Sequence, residues 1–497
     1  MRKLFCIILA GLLLGILLTT ADAAALTKSD PFIRVGLYYG NNALEYANLQ
    51  NAAGCGFGYA YGVLDTNGSF VSYGVISEVA ITMRAASPTA YTISATGSGA
   101  VLAYVETGDS PLCVWPQGID TVTWFKNIRY RGAFLYQRTD GGRLSVINYL
   151  PLEDYIKGVV PYEMGTWFPE EALKAQALCA RSYAMTSIGR HGSQGFDLCN
   201  TTCCQVYKGL KTQSDAVDRA VEQTAGQYIR YNGEIIRAVY MSSDGGATEN
   251  AENVWNTPLP YLRAVRDDWE AQTDTTYKSW TREITARQIT QILKARGNDN
   301  TDIVHAYAEY TAAGNISRLT FVDSRGKTYD YEKEAARLVL ASTDYGVDIK
   351  SMRFIFEDAA NPRVKSPSEF ARPMSGTQDT QSSDIAAAVK SVLSAFGLRP
   401  LSEQYPAGSI PILGKSGVTY RTDFRVFGAQ SGYTVSDTGI NAADLTIPAS
   451  SSGRYLIVGA GYGHNLGMSQ YGAKAMAEAG YTAEQIVKYY YTGVTVG

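Results

Sequence analysis

Glu163 stands in the run VVPYEM (159–164), directly ahead of a helical stretch that opens FPEEALKAQALCARSYA (168–184). A lone carboxylate between an apolar run and a proline-started helix is well placed to have its pKa raised by burial, as an acid catalyst requires. A second cluster follows in RHGSQGFDLCNTTCCQVY (190–207), where His191, Cys199 and Cys204 offer one nitrogen and two sulfurs within a short loop. That donor set suits Zn²⁺, which takes tetrahedral N and S ligands and would keep a fourth place for water or substrate. Cys203 is an extra neighbour: it either replaces Cys204 as a ligand or pairs with another cysteine in an oxidising exterior. A serine hydrolase is not written here. No G-x-S-x-G elbow occurs, and the base would have to be one of only three histidines, His191, His305 or His464.

Strands and helices in mixed order must position these groups. From Phe32 to about Ile128, alternating apolar and polar residues in FIRVGLYYG, FVSYGVISEVAITM and AVLAYVET read as strands punctuated by turns. This region shows no catalytic constellation and reads as a binding or packing module. LSVIN (144–148) predicts a strand that leads into a Pro151-started helix, LEDYIKGVV, and helical signals then dominate to about Gly189. Pro169 opens the second helix, and Glu170 and Glu171 complement its dipole. Asn232-Gly233 marks a hairpin within YIRYNGEIIRAVYMSS. Further on, ITARQITQILKAR reads as a helix, and SRLTFVD and SMRFIFE read as strands. Residues 366–384, rich in Ser, Thr, Gln and Pro, read as a linker.

Arg2 and Lys3 precede an apolar stretch from Leu4 to Leu18, and Ala21-Asp22-Ala23 then offers small residues at cleavage spacing. This predicts a secretory signal peptide over residues 1–23, the alternative being an uncleaved membrane anchor. With charged residues at 18% and a net charge of -3, the chain lacks the basic face a nucleic-acid partner would favour. The 35 tyrosines against 15 phenylalanines suit either a surface that grips sugars or peptides, or half-exposed strands of a secreted protein. Cys55 and Cys113 fall in one region and could pair, whereas Cys179, among Ala and Leu, reads as a buried small apolar residue.

Four segments in order resemble the stage II sporulation protein D and LytB family of cell-wall proteins: VVPYEM with FPEEALKAQALCARSYA, then FDLCNTTCCQVY, then SSDGGATENAENVW with PYLRAV, and finally GYGHNLGMSQYGA (461–473). The resemblance covers residues 144–265 and 455–496 closely and 282–357 loosely. It implies a peptidoglycan lytic transglycosylase that cuts the β-1,4 bond between N-acetylmuramic acid and N-acetylglucosamine and leaves a 1,6-anhydro end, on strands already stripped of stem peptides. Glu163 aligns with the family's catalytic glutamate. One carboxyl group suffices for that chemistry, whereas a hydrolytic glycosidase would usually need a second about 5 to 9.5 Å away. The family's His and Cys zinc site carries over to His191, Cys199 and Cys204.

In the same frame Gly245 and Gly246 allow close backbone approach, and Ser242 and Ser243 either hydrogen-bond sugar hydroxyls or cap turns. Tyr261 in PYLRAV either points its hydroxyl at the cleft or packs in the core. His464, Ser469 and Gln470 lie in the closing motif. His464 and Gln470 are expected to return to Glu163 and hold the acid or an acetamido group, or His464 ties the closing segment to the core. The family usually has Gly after this His, where Asn465 stands here, and Asn tolerates a left-handed backbone.

The expected architecture is α+β, with a β-rich module over 32–143 and a catalytic core over 144–357. A linker and insertion would occupy 366–452, and a segment over 453–497 would complete a discontinuous core. Glycan strands are the expected partner, with an amidase or other sporulation cell-wall proteins besides, and the expected location is extracytoplasmic. The rival function is a non-catalytic wall-binding protein that enhances an N-acetylmuramoyl-L-alanine amidase.

Overall fold

A computed structural model describes residues 31–273, 275–360 and 453–497, together with the paired backbone of 410–414 and 417–421. The expected signal peptide and nearly all of the 366–452 insertion lie outside the described residues. The fold is α+β. Its described helices are α1 (Leu152–Glu163), α2 (Glu170–Thr186), α3 (Asp215–Gln223), α4 (Ala251–Val254), α5 (Ala286–Ala295), α6 (Glu334–Leu338), α7 (Gln470–Glu478) and α8 (Ala483–Tyr490). No helix among the described residues is long and apolar enough to cross a membrane.

Two compact units form. One gathers the chain up to Ser242, Leu259–Leu262 and Leu466–Gly497; the other gathers Ser243–Pro258 and Arg263–Asn465. This division departs from the expected one. The strand Phe32–Tyr38 pairs antiparallel with Leu144–Pro151, with Val35 opposite Asn148, and parallel with the short strand Leu198–Cys199. Residues on both sides of position 143 therefore share one seven-stranded sheet, because edge backbone groups of one segment are satisfied by the other. The expected 144–357 core is split at Ser242, and the closing motif is split between Asn465 and Leu466.

In the first unit a six-stranded sheet faces the seven-stranded one. Alternation does the work, with Leu49, Ile81, Met83 and Ile93 buried while Asn48, Gln50 and Arg84 are exposed. The sheets meet through aromatic edges, Tyr38 on Phe125 at 5.6 Å and Phe125 on Phe134 at 5.7 Å, and the Tyr91 hydroxyl donates to the Tyr136 carbonyl at 2.6 Å. Helix α2 is buried from Ala172 to Ala184, which its small residues permit. Within it the fully buried Arg181 donates twice to Glu153, at 2.8 and 2.7 Å, and also to the Val221 and Gln227 carbonyls. Each nitrogen of that fork has an acceptor, as a buried guanidinium demands. Cys179 is buried as expected, in contact with Met468 and the Tyr491 hydroxyl, and burial pushes its thiol up to about 12.

Cys55 and Cys113 do not pair. Cys113 lies in a buried cluster with Ala133, Leu135 and Ile147, whereas Cys55 packs on Ala52, Val122 and Leu210.

The second unit holds a sheet of Trp280–Thr285, Arg454–Gly459 and Phe354–Asp358, and a meander of Ile303–Tyr310, Ile316–Asp323 and Thr328–Glu332. Helix α5 opens with the expected kind of signal, a capping box between Thr285 and Gln288. Its Ile289, Ile292 and Leu293 join Leu319, Phe321 and Phe354 in one core.

Candidate active site and cysteine cluster

Helix α1 runs three residues past the expected LEDYIKGVV and through Pro161, so Glu163 is its last residue. That address matters electrostatically, since a helix C-terminus disfavours a carboxylate. Glu163 is half-buried, and the Val206 N–H donates to its Oε1 at 3.1 Å. Burial raises its pKa above the ordinary glutamate value, and the Val206 bond only partly opposes this. The neighbouring residue, Gln205, is buried and fixes the surroundings: its Oε1 accepts from the Tyr155 hydroxyl at 3.2 Å, and its Nε2 donates to the Tyr240 hydroxyl at 3.0 Å and to the Ala180 carbonyl at 3.3 Å. Burial pushes both phenols well up, and each also feels Glu163. A carboxyl of raised proton affinity in a fixed setting is what this arrangement supplies.

Val206 and Gln205 directly follow the cysteine cluster. His191 Nε2 lies 3.3 Å from Cys204 Sγ and 3.9 Å from Cys203 Sγ, and one ligand atom from each of His191, Cys199, Cys203 and Cys204 lies within 4.8 Å of the others. Cys199 is held low, to about 4, first by a hydrogen bond from Cys204 and against its own burial; the same contact raises Cys204. The contact thus favours loss of a proton from Cys199 over Cys204 beside the imidazole. The edge of a tetrahedral zinc site with about 2.3 Å Zn–S bonds is roughly 3.8 Å, so the N/S₃ set fits that ion without large rearrangement. Cys203, considered from sequence as a substitute for Cys204 or a disulfide partner, lies with the other three within 4.8 Å.

The N-terminal strand builds this cluster. Gly36 pairs with Cys199, and a Cβ at Gly36 would lie 2.6 Å from the Phe196 ring, on which His191 stacks at 5.1 Å. Asp197 locks the register through Arg34, accepting from its backbone N–H at 2.9 Å and from its guanidinium at 3.0 and 3.2 Å. The far end of the loop is anchored by the Tyr207 hydroxyl, which donates to the buried Asn148 at 2.8 Å.

The SpoIID profile, described as a stage II sporulation protein, matches residues 140–231, which hold α1, α2, the cysteine cluster and α3. The amidase enhancer of Bacillus subtilis is 30% identical over 341 residues, covering 69% of this chain and 40% of that protein. An uncharacterised protein of Brachyspira hyodysenteriae is 40% identical over 139 residues, 28% of this chain and 38% of that one. Stage II sporulation protein D of Bacillus subtilis is 25% identical over 365 residues, 70% of this chain and 75% of that one. Residues 140–231 of this chain match the SpoIID family. It spans about two fifths of the length of the first two of these relatives.

The other residues singled out from the sequence have partners of their own. Ser242 offers its carbonyl to the Tyr471 N–H at 3.1 Å. Tyr261 is half-buried, its hydroxyl accepting from the Arg237 N–H at 3.4 Å and its ring 6.0 Å from Tyr231, which is the packed alternative. Ser469 caps α7 by accepting from the Gly472 N–H at 3.1 Å, and the buried Gln470 donates to Gln176 of α2 at 3.3 Å. In the second unit the His464 ring lies 5.7 Å from Trp255. Asn465 adopts the left-handed backbone expected of it (φ 62°). Its side chain donates to the Asp244 and Ala247 carbonyls at 2.6 and 3.2 Å and accepts from the Met352 N–H at 3.1 Å.

Ser243, expected to meet sugar hydroxyls or cap a turn, is fully buried and donates to Glu270 instead. Glu270 also accepts from the Asp244 and Gly245 N–H groups at 2.8 and 3.1 Å, so it holds the glycine-rich turn from within. A Cβ at Gly245 would lie 2.6 Å from the Ala460 backbone, so that glycine serves packing inside the unit. Gly246 also has a left-handed backbone (φ 113°), and its N–H donates to Asp244 at 2.7 Å. Sequence reasoning missed this cluster of Asp244, Asp267 and Glu270, whose ligand atoms also lie within 4.8 Å of one another. Its only sequence signal is the pairing of SSDGG with RDDWE about twenty residues later. Two clefts of about 440 and 470 Å³, one lined by Trp255, Lys333 and their neighbours and one by Tyr38, Arg143 and theirs, do not include Glu163.

Proposed function

We propose that this chain is an extracytoplasmic peptidoglycan lytic transglycosylase in which Glu163 is the sole acid and base. The observation that carries this reading is the setting of Glu163. Its proton affinity is raised by burial and opposed only by the Val206 N–H, with no second carboxylate acting on it among the described residues. Neighbouring acids are engaged elsewhere: Asp154 lies 3.8 Å from Arg131, and Glu171 binds Lys174 and the first N–H of α8. The protonated carboxyl donates to the glycosidic oxygen as the bond from C1 of N-acetylmuramic acid breaks. The carboxylate then accepts the proton of that sugar's C6 hydroxyl, whose oxygen closes on C1 to give the 1,6-anhydro end. No water is consumed, which accords with a single carboxyl group.

His191, Cys199, Cys203 and Cys204 would hold a zinc ion, which would tie the loop that carries Gln205 and Val206 and so set the position of Glu163. The basic and apolar N-terminal stretch supports export. A second reading, enhancement of an amidase with no cleavage, is favoured by the name of the relative that is 30% identical. Incubation with denuded glycan and no amidase, with mass spectrometry for anhydro ends, separates the two. The Glu163→Gln variant is expected to lose at least about a hundredfold in product release. Wild-type activity should fall as pH rises through a pKa above the ordinary glutamate value, because the acid form is required. Folded Glu163 also holds its proton more tightly than the unfolded chain does, so stability contributed by this group is present at low pH and lost as pH rises through the folded pKa. Undiminished release by Glu163→Gln would end the assignment.

A further inference from the structure

The six-stranded sheet of the first unit has one buried face and one that no described residue of that unit covers. Register fixes what lies outside. Trp124 sits opposite Gln50 and Arg129, Asn48 opposite Thr82, Thr82 opposite Ser94, Arg84 opposite Thr92, and Thr92 opposite Tyr104. Between two aromatic residues, Trp124 (41% exposed) and Tyr104 (62%), runs a floor of short amide and hydroxyl side chains. The rings lie four strands apart, about 19 Å at ordinary strand spacing. Thr82 already links Asn48 and Thr96 through its hydroxyl, at 3.0 Å each, so the floor is partly ordered. Arg84 stacks on Tyr46 at 4.4 Å and Arg129 on Trp124 at 5.8 Å, which stiffens rings and cations together. The one carboxylate in register on this face is Glu106, at the end of the edge strand.

Large exposed rings call for a partner, and here the strands between them present mainly hydrogen-bonding groups, with the exposed apolar Val101 and Leu102 confined to the edge strand beside Tyr104. We propose that this face is a second glycan-binding surface that takes an N-acetylated β-1,4-linked amino-sugar strand carrying free carboxylates. Sugar faces stack on Trp124 and Tyr104, hydroxyl and acetamido groups meet the Thr, Asn and Gln floor, and the carboxylates meet Arg84 and Arg129. The ligand class rests on the function proposed above, while the composition of the face does not. The site lies outside the Glu163 region and would retain the protein on the wall between cleavage events.

The test is co-sedimentation of the full chain carrying Glu163→Gln with insoluble sacculi stripped of stem peptides. Adding Trp124→Ala and Tyr104→Ala should lower the retained fraction about tenfold with an unchanged melting profile, since both rings are exposed. Phe57→Ala, equally exposed but outside the face, should change nothing. Equal retention with and without the two rings, or equal loss on Phe57→Ala, overturns the proposal, as does a shift in oligomeric state in place of glycan retention. Ring-dependent retention, together with a wild-type chain that releases no anhydro ends from denuded glycan, would leave this site standing and remove the transglycosylase reading.

Discussion

The cysteine loop of the first unit and the glycine-rich turn of the second bring ligand-type side chains together at the same mutual distance, within 4.8 Å. They differ in what those side chains are already doing. In the turn, Glu270 accepts from three donors of the 243–245 segment, and Asp267 accepts the Trp269 and Glu270 N–H groups at 2.9 and 3.0 Å. Asp244 is fully buried; burial, reinforced by Asp267 and Glu270, raises its pKa well above the ordinary value. In the cysteine loop the sulfurs are weak acceptors, Cys203 is exposed, and one thiol is already acidified. Proximity of donors therefore does not define a metal site. Carboxylates such as Glu270 and Asp267, engaged by donors of nearby segments, brace a turn, whereas thiols and an imidazole converging on a shared space suit an ion.

Several substitutions would break or sharpen that contrast. The largest effect is expected at Cys199→Ser. Protein purified under reducing conditions should bind about one zinc per chain, and the variant should bind almost none, read by elemental analysis; equal zinc in both would remove the metal from the cysteine loop. Cys199→Ser should also weaken activity through the Val206 contact to Glu163, with the pH profile of the residual activity displaced, a readout that simple unfolding would not give. Next comes Glu270→Gln, which leaves an amide facing backbone N–H donors and should cost about 3 kcal/mol, with faster hydrogen exchange at the Asp244 and Gly245 amides and no change in bound zinc. Smallest is Asn465→Gly. It restores the family's usual residue and suits the left-handed backbone but removes three side-chain hydrogen bonds, for a loss of about 1–2 kcal/mol in denaturant unfolding.

The family match stops at residue 231, so it covers the cysteine loop and Glu163 and leaves out the Glu270-braced turn. Much of the matched part is legible in the sequence, because short-range signals govern it: Pro151 and Pro169 open the two helices, and His191 and the cysteines share one loop. Just past it, Asn232-Gly233 turns the hairpin with φ of 51° and 86°. Ser243 was read outward because its partner, Glu270, is 27 residues away and no periodicity announces it. Tyr261 and Gln470 likewise depend on backbone or helix neighbours that lie far off in sequence.

Local sequence by itself determined the helices around Glu163, the donor types of the cysteine loop and the left-handed turn at Asn465, since each follows from dihedral preference, capping or ligand chemistry within a few residues. Tertiary structure alone decided that Cys203 joins the cluster, that Gly36 and Arg34 of the first strand hold it, and that the chain divides at Ser242 and Asn465 and not at residue 143. The physical reason is hydrogen-bond satisfaction over long sequence separations. A strand edge, a buried carboxylate or an amide side chain takes whichever partner the packed fold brings to it, and that choice is not written in the residues beside it.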